Sequence, residues 1–275
     1  MATPFTPKQA IPFDGALLQE LQGNVSDTIA ADLLHDLPAL SSSSIVHDNG
    51  CGYGAVTLAI MKLATGAQVH ATDVNPMFLA QLKANLAQHP EWPVKVDTMD
   101  ATKLTFLDST FDLSLTTFVF AGLTDDVAAA KHILRTLKPG GTGVVAVWKE
   151  MPWHVALENA HYRTRGADEP MAPFLSKSWY KKEKLSQVVA EAGWKNVEYV
   201  EKTAWLELGP DLKRWARIAW TFLGGPVGGW QQRDEDKWEE AIESIVEELE
   251  KSELHKVENG VHKIRMVADV AIAKC

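Results

Sequence analysis

Between residues 44 and 150, short apolar runs alternate with segments of helical period, and this alternation constrains the fold more than any other feature of the chain. Ser44–His47, Val69–Thr72, Pro93–Asp97, Phe111–Leu115 and Thr142–Trp148 read as five strands. One helix runs through Val56–Met61, a second from Pro76 to Gln88 and a third over 125–137, with Leu137–Gly141 read as a helix end and turn. Strands that alternate with helices make βαβ units, with parallel strands and right-handed crossovers. The expected class is therefore α/β, a doubly wound sheet of about seven strands, the last antiparallel, with helical caps.

The flanks complete that sheet. Residues 14–37 read as one or two helices whose apolar set is Leu17, Leu18, Leu21, Ile29, Leu33 and Leu34. Glu183–Ala192 reads as a helix stopped by Gly193, and Val197–Val200 as strand six. Helices are expected over 211–223 and 234–255, the latter carrying the stripe Trp238, Ile242, Ile245, Val246 and Leu249. His262–Ala273 is apolar on both faces and belongs inside the sheet. The expected organisation is a helical segment 1–43, a cofactor-binding core 44–150, a cap insertion 151–182, a core helix and strand six over 183–206, a helical cap insertion 207–260 and a final core strand 261–275. Both insertions should leave from the carboxyl edge of the sheet, where open α/β sheets bind ligands. Eight of the ten tryptophans lie beyond residue 150, so the caps should be lined by aromatics.

The loop Asp48-Asn49-Gly50-Cys51-Gly52-Tyr53-Gly54 joins the first strand to the first helix. Its glycines permit a tight turn and close approach of a ligand, and the helix that follows presents free N–H groups and a positive dipole end. Those features suit a carboxylate or a phosphate equally. Gly50–Ala55 even satisfies the relaxed dinucleotide pattern G-x-G-x-x-A, which keeps a NAD-dependent oxidoreductase open at this point. Three acids narrow the choice. Asp48, two residues before the first glycine, would crowd a pyrophosphate but can hold a cationic amino group. Asp73 closes strand two and can accept from both ribose hydroxyls; capping the helix near Pro76 is its alternative role. Asp100-Ala101 follows strand three and can pair with an adenine edge.

Taken in order and spacing, the D-x-G-x-G-x-G loop at 48–54, Asp73, Asp100-Ala101, Phe111-Asp112 and Leu137–Gly141 resemble the class I methyltransferases of the ubiquinone/menaquinone-biosynthesis-like branch. The resemblance covers about 40–150. It implies a Rossmann-like sheet and S-adenosyl-L-methionine as cofactor. It also implies cofactor contacts from Asp48, Gly50, Cys51, Gly52, Gly54, Asp73, Val74, Asp100, Ala101, Thr116, Thr117 and Phe118. Asp112 is read as structural and His47 as a satisfied core histidine. The caps, with the Asp-Asn-Gly-Cys-Gly loop, look similar to fungal small-molecule methyltransferases of specialised metabolism, and among these to the gliotoxin-type bis-thiomethyltransferases that S-methylate a reduced dithiol. O- or N-methylation of an aromatic or quinone-like molecule is the alternative.

Methyl transfer from a sulfonium is a direct displacement and needs a base only when the nucleophile is protonated. A thiol with a pKa of about 8.5 needs less help than a phenol at about 10. His154 is the one base candidate, and a structural histidine is its other reading. Trp153, His154, Arg163, Trp179, Trp220 and Trp230, with Tyr180 and Phe222, are the candidates to wall a partly apolar acceptor; each tryptophan equally serves as cap core. No ligand cluster calls for a metal. The net charge of −9 argues against nucleic acid and anionic membranes and leaves a small molecule as the expected partner. Lys181-Lys182 with Lys184 is the nearest thing to a basic cluster and reads as a solvated helix start. Two distant cysteines, no apolar run of membrane length and no signal-like N-terminus give a cytoplasmic expectation; the oligomeric state is not readable.

Overall fold

The computed structural model describes residues 5–12, 14–172, 175, 179 and 183–275. In chain order its elements are α1 (Gly15–Gln22), α2 (Val25–Asp36), β1 (Ile45–Asn49), α3 (Ala55–Lys62), β2 (Gln68–Asp73), α4 (Pro76–Leu86), β3 (Val94–Thr98), β4 (Phe111–Thr117), α5 (Asp126–Thr136), β5 (Leu137–Glu150), α6 (Pro152–Arg165), α7 (Lys184–Glu191), β6 (Glu198–Gly209), α8 (Leu212–Leu223), α9 (Gln232–Asp236), α10 (Trp238–Lys251), β7 (His255–Glu258) and β8 (Val261–Lys274). Short 3₁₀ turns cover Ala101–Lys103 and Phe120–Gly122.

The strands run in the order β3-β2-β1-β4-β5-β8-β6, with β7 paired to β8. β1 pairs in parallel with β2 and β4, β2 with β3, and β4 with β5. This is the expected Rossmann-like α/β sheet with an antiparallel last strand, and it has eight strands among the described residues where about seven were expected. The strand order reverses between β1 and β4, the switch point where such sheets bind ligands.

The extra strand is β7. Asn259 and Gly260 both have positive φ, 52° and 76°, which is the turn that folds a two-residue hairpin and sets His255 opposite Ile264. The Asn-Gly pair was the sequence signal for it. The expected helix over 234–255 is accordingly corrected to α9 and α10 followed by this strand. The helical path breaks at Lys237 (φ −104°, ψ 14°). Asp234 is held by the α9 cap at Gln231 and by the buried Arg165 guanidinium, and fully buried Trp238 opens α10 on the far side of the break. Strand six also extends past Val200 to Gly209, because Ala204, Leu206 and Leu208 are buried in strict alternation.

The chain divides into two units: residues 26–149, 178–202 and 267–275 form one, and residues 1–25, 150–177 and 203–266 form the other, with β6 and β8 running through both. In the first, Phe111, Phe120, Ile133, Val145, Val189 and Trp194 are buried in one cluster. Burial of side chains of this size stabilises by about 1.5–3 kcal/mol each. The Trp194 indole donates to Ala130 O at 3.0 Å, and its ring edge lies where a Cβ on Gly143 would fall, 2.9 Å away. His47 stacks on Phe111 and its Nε2 lies 2.9 Å from Thr72 Oγ1; burial pushes its pKa down to about 3, so it is the neutral core histidine expected.

Leu137–Gly141 is a correction. It is the first third of β5 and not a turn. Phe111 pairs with Leu137, a bulge separates Phe111 from Leu113, and Gly140 and Gly141 bond to the backbone of Cys275. Pairing on both sides recruits the segment into the strand, and Gly140 absorbs the kink at φ 81°.

In the second unit, α6 and α10 pack together, and of the predicted stripe Trp238, Ile242, Ile245 and Leu249 are buried and Val246 is half-buried. Arg165 from α6 forms a fully buried ion pair with Asp234 of α9, and its guanidinium lies 4.5 Å from the Trp220 ring centroid and 5.2 Å from that of Trp230. Among the described residues no helix is long and apolar enough to cross a membrane.

Candidate functional site

The carboxyl ends of β1 to β4 carry the twelve residues that the sequence pointed to. Gly50, Gly52 and Gly54 have φ of 72°, 53° and 97°, which side chains rarely adopt. Gly50 N and Cys51 N donate to Thr72 O at 2.7 and 2.9 Å, and Gly54 N donates to Cys51 O. A Cβ on Gly50 would come within 2.3 Å of Val119, and one on Gly54 within 2.5 Å of Leu82. At Gly52 it would meet nothing within 4 Å, so the loop turns bare backbone toward open space there.

Asp48 is buried. Its Oδ2 accepts from the Thr57 amide at 2.9 Å and the Thr57 hydroxyl at 2.6 Å, so the carboxylate takes a donor at the start of α3. Burial, reinforced by the Asp73 charge and opposed by Thr57, pushes its pKa up to about 6. Burial, with the Asp48 and Asp73 charges, holds the Cys51 thiol well above its ordinary range, so that it stays protonated at neutral pH.

Asp73 spends both oxygens on backbone. Oδ2 accepts from Gly52 N at 2.9 Å and Oδ1 from Asn75 N at 2.8 Å. The α4 cap is Asn75, whose side chain takes Met77 N, so Asp73 holds the glycine loop and does not cap the helix. Val74, next to it, is exposed. Asp100 Oδ1 accepts from the Thr102 amide and hydroxyl, both at 2.8 Å, which lowers its pKa below the usual carboxylate range. Ala101 is buried at the start of the 3₁₀ turn that follows. Thr116 is buried and its Oγ1 accepts from Asn49 Nδ2 at 3.1 Å. Thr117 ends β4, and Phe118 follows at a φ of 62°.

Asn49 was not singled out in the sequence. It is 1% exposed, and its Oδ1 has no hydrogen-bond partner among the described residues. Only the closeness of β4 reveals it, since asparagine inside a glycine loop is otherwise unremarkable in type. An orphaned buried acceptor beside an open glycine fits a ligand with hydrogen-bond donors at this edge.

The residues expected to meet an acceptor are distributed differently. Trp179 belongs to the first unit and is buried edge-to-face on Phe120. The others lie in the second unit. His154 is buried, its Nε2–H donates to Leu175 O at 3.1 Å, and burial lowers its pKa, so it is held neutral. Trp153 is half-buried beside it. Arg163 pairs with Glu240 and Glu247 at the surface, an arrangement worth little by itself. Trp220 and Trp230 pack around Arg165. Tyr180, Lys181 and Lys182 lie outside the described residues; Lys184 pairs with Asp126.

Residues 47–145 match the family model described as a methyltransferase domain. Over 114 residues the chain is 31% identical to the 2-methyl-6-phytyl-1,4-hydroquinone methyltransferase of Synechocystis sp., covering 42% of this chain and 35% of that one. It is 32% identical over 114 residues to the demethylmenaquinone methyltransferase of Roseiflexus sp., covering 36% of this chain and 48% of that one. The chain thus spans less than half the length of each of these two curated relatives. In fold it is similar to phosphoethanolamine N-methyltransferase 2 of Haemonchus contortus, solved with S-adenosylhomocysteine, with a TM-score of 0.54, 15% identity and coverage of 89% of this chain and 52% of that one. These matches bear out the resemblance to the class I methyltransferases of the ubiquinone/menaquinone-like branch over the matched domain.

Proposed function

We propose, from the methyltransferase domain at 47–145, that this chain is an S-adenosylmethionine-dependent methyltransferase acting on a small molecule. The observation that carries the reading is the buried Asp48 carboxylate on the α3 N-terminal turn. A pyrophosphate bound by a dinucleotide enzyme needs those amides and repels a carboxylate beside them, whereas a cationic ligand is attracted by it. Asp73, already anchored through Gly52, would accept from the ribose, and Asp100 with Ala101 would meet the adenine. The open face at Gly52 and the free Asn49 Oδ1 would take the methionine part. When bound, S-adenosylmethionine supplies a methyl group on a positively charged sulfur. The residues of this chain orient the cofactor and exclude water from it, which is where the rate enhancement of a direct displacement arises.

Calorimetry with S-adenosylhomocysteine and with NAD tests the reading: binding of the first and silence with the second is expected, and the reverse would overturn it. Asp100→Ala should weaken S-adenosylhomocysteine about tenfold while the melting temperature holds, as for one lost charged hydrogen bond. A pH series gives a further expectation. A bound cation favours ionised Asp48, so affinity should rise by up to about tenfold per pH unit below the Asp48 pKa and level off above it. That pKa lies at about 6. A flat profile between pH 5 and 7 would separate Asp48 from the cofactor.

For the acceptor we propose a reduced dithiol, S-methylated as in specialised metabolism. What supports it is the burial of His154, which lowers the pKa of the one base candidate and makes it a weak base for a phenol. A thiol needs least help. The second reading, methylation of a quinol-like aromatic, is favoured by the names of the relatives. Labelled cofactor offered to a dithiol and to a hydroquinone in parallel decides between them: bis-methylthio product is expected, and transfer confined to the hydroquinone would replace the first reading by the second.

A further inference from the structure

We propose that Trp148 is a positioning residue for the glycine loop, acting through Phe118 and Val119. What the loop holds rests on the methyltransferase reading above; the packing does not. β4 ends at Thr117, and the next residue, Phe118, stands at φ 62° with its N–H donating to Ala146 O at 2.8 Å. A bulky aromatic rarely takes the left-handed conformation and keeps it only where its surroundings over-determine it.

The over-determining contact is the indole of Trp148. It lies flat on the Phe118 ring, with centroids 3.9 Å apart and planes at 10°. Trp148 stands two residues beyond Ala146 on β5, hence on the same face of the strand as the residue whose carbonyl takes the Phe118 amide. One short stretch of β5 therefore grips both the backbone and the ring of Phe118.

The left-handed step has a consequence one residue on. Val119 is delivered against Gly50, so closely that a Cβ there would lie 2.3 Å from one Val119 methyl and 3.0 Å from the other. Gly50 and Cys51 in turn donate to Thr72 O, and Gly52 donates to Asp73. The stack, the left-handed turn and the valine thus form one connected set ending on the loop that presents Gly52. All these residues lie in the same unit of the chain. A tryptophan that merely filled space would affect stability alone; one that holds the turn would affect the loop.

The test uses the full chain and four variants: Trp148→Ala, Trp148→Phe, Phe118→Gly, and Phe118→Gly with Trp148→Ala. Two quantities are read: hydrogen exchange of the 50–54 amides in the free protein, and S-adenosylhomocysteine affinity by calorimetry, with KM and kcat for methyl transfer alongside. Loss of the stack in Trp148→Ala should speed loop exchange and weaken binding roughly tenfold, raising the cofactor KM with kcat within about twofold. Trp148→Phe keeps a stacking ring and should restore both. In the Phe118→Gly background, Trp148→Ala should add nothing, because glycine holds the positive φ unaided. Wild-type exchange and affinity in Trp148→Ala, or an equal loss in the glycine background, would overturn the proposal. A wild-type protein that fails to bind S-adenosylhomocysteine while its loop exchange still follows this pattern would sink the methyltransferase reading and leave Trp148 as the loop's positioning residue.

Discussion

Asp73→Ala should lower affinity for S-adenosylhomocysteine by at least about a hundredfold while the protein stays folded. The carboxylate does two things at once. Its oxygens receive the Gly52 and Asn75 amides, and in our reading they also face the ribose. Hydrogen bonds to a charged partner contribute about 1.5–3 kcal/mol each, and two such bonds to the ribose hydroxyls exceed the roughly 2.7 kcal/mol that a hundredfold loss requires. Stability should change less, because both amides are only part-buried and water can replace the lost acceptor. Asp73→Asn keeps acceptors without the charge and should fall between. Calorimetry beside a thermal melt separates the effects, and unchanged affinity in Asp73→Ala would show that the adenosine lies elsewhere.

The largest stability loss is expected from Asp234→Ala. Arg165 and Asp234 have side-chain exposures of 0% and 1%, so removing the acid strands a guanidinium in the interior. Burial already lowers the Arg165 pKa. Its other hydrogen-bond partners, Gly224 O at 2.8 Å and His161 Nδ1 at 3.1 Å, and the Trp220 and Trp230 faces carry no negative charge to replace the lost carboxylate. Removing one member of a buried pair costs about 3–5 kcal/mol, a fall in melting temperature on the order of 10 °C for a chain of this size. Replacing both by apolar residues of similar volume, Arg165→Met with Asp234→Leu, should recover most of the loss, since desolvation offsets much of what such a pair contributes. A single-variant loss below about 1 kcal/mol would mean that water reaches the pair.

The sheet and its carboxyl edge were legible because they rest on local signals. Short apolar runs alternating with segments of helical period gave β1 to β5, the glycine loop gave the first turn, and the acids were read at the strand ends. The hairpin at Asn259-Gly260 was equally local and was overlooked in the gap between the helix read over 234–255 and the final strand. The break at Lys237 was only partly local: it lies between buried Trp238 and Asp234, which is held both by the α9 cap and by Arg165, 69 residues away. Trp220 and Trp230 were visible as an aromatic set, but their use around Arg165 was not, because composition does not say which ring faces which.

What the sequence by itself determined is the order of elements and the identity of the edge: the βαβ alternation and Asp48, Asp73 and Asp100 are set by residues within a few positions of one another. What only the tertiary structure decided is how that edge is held. Asp48 spends an oxygen on Thr57, Asp73 grips Gly52, Asn49 is left with an unanswered oxygen, and Phe118 is pinned left-handed by Trp148. These pairings join residues on neighbouring strands and loops. Their energies come from burial and from the exclusion of water, which exist only once the sheet has closed around them.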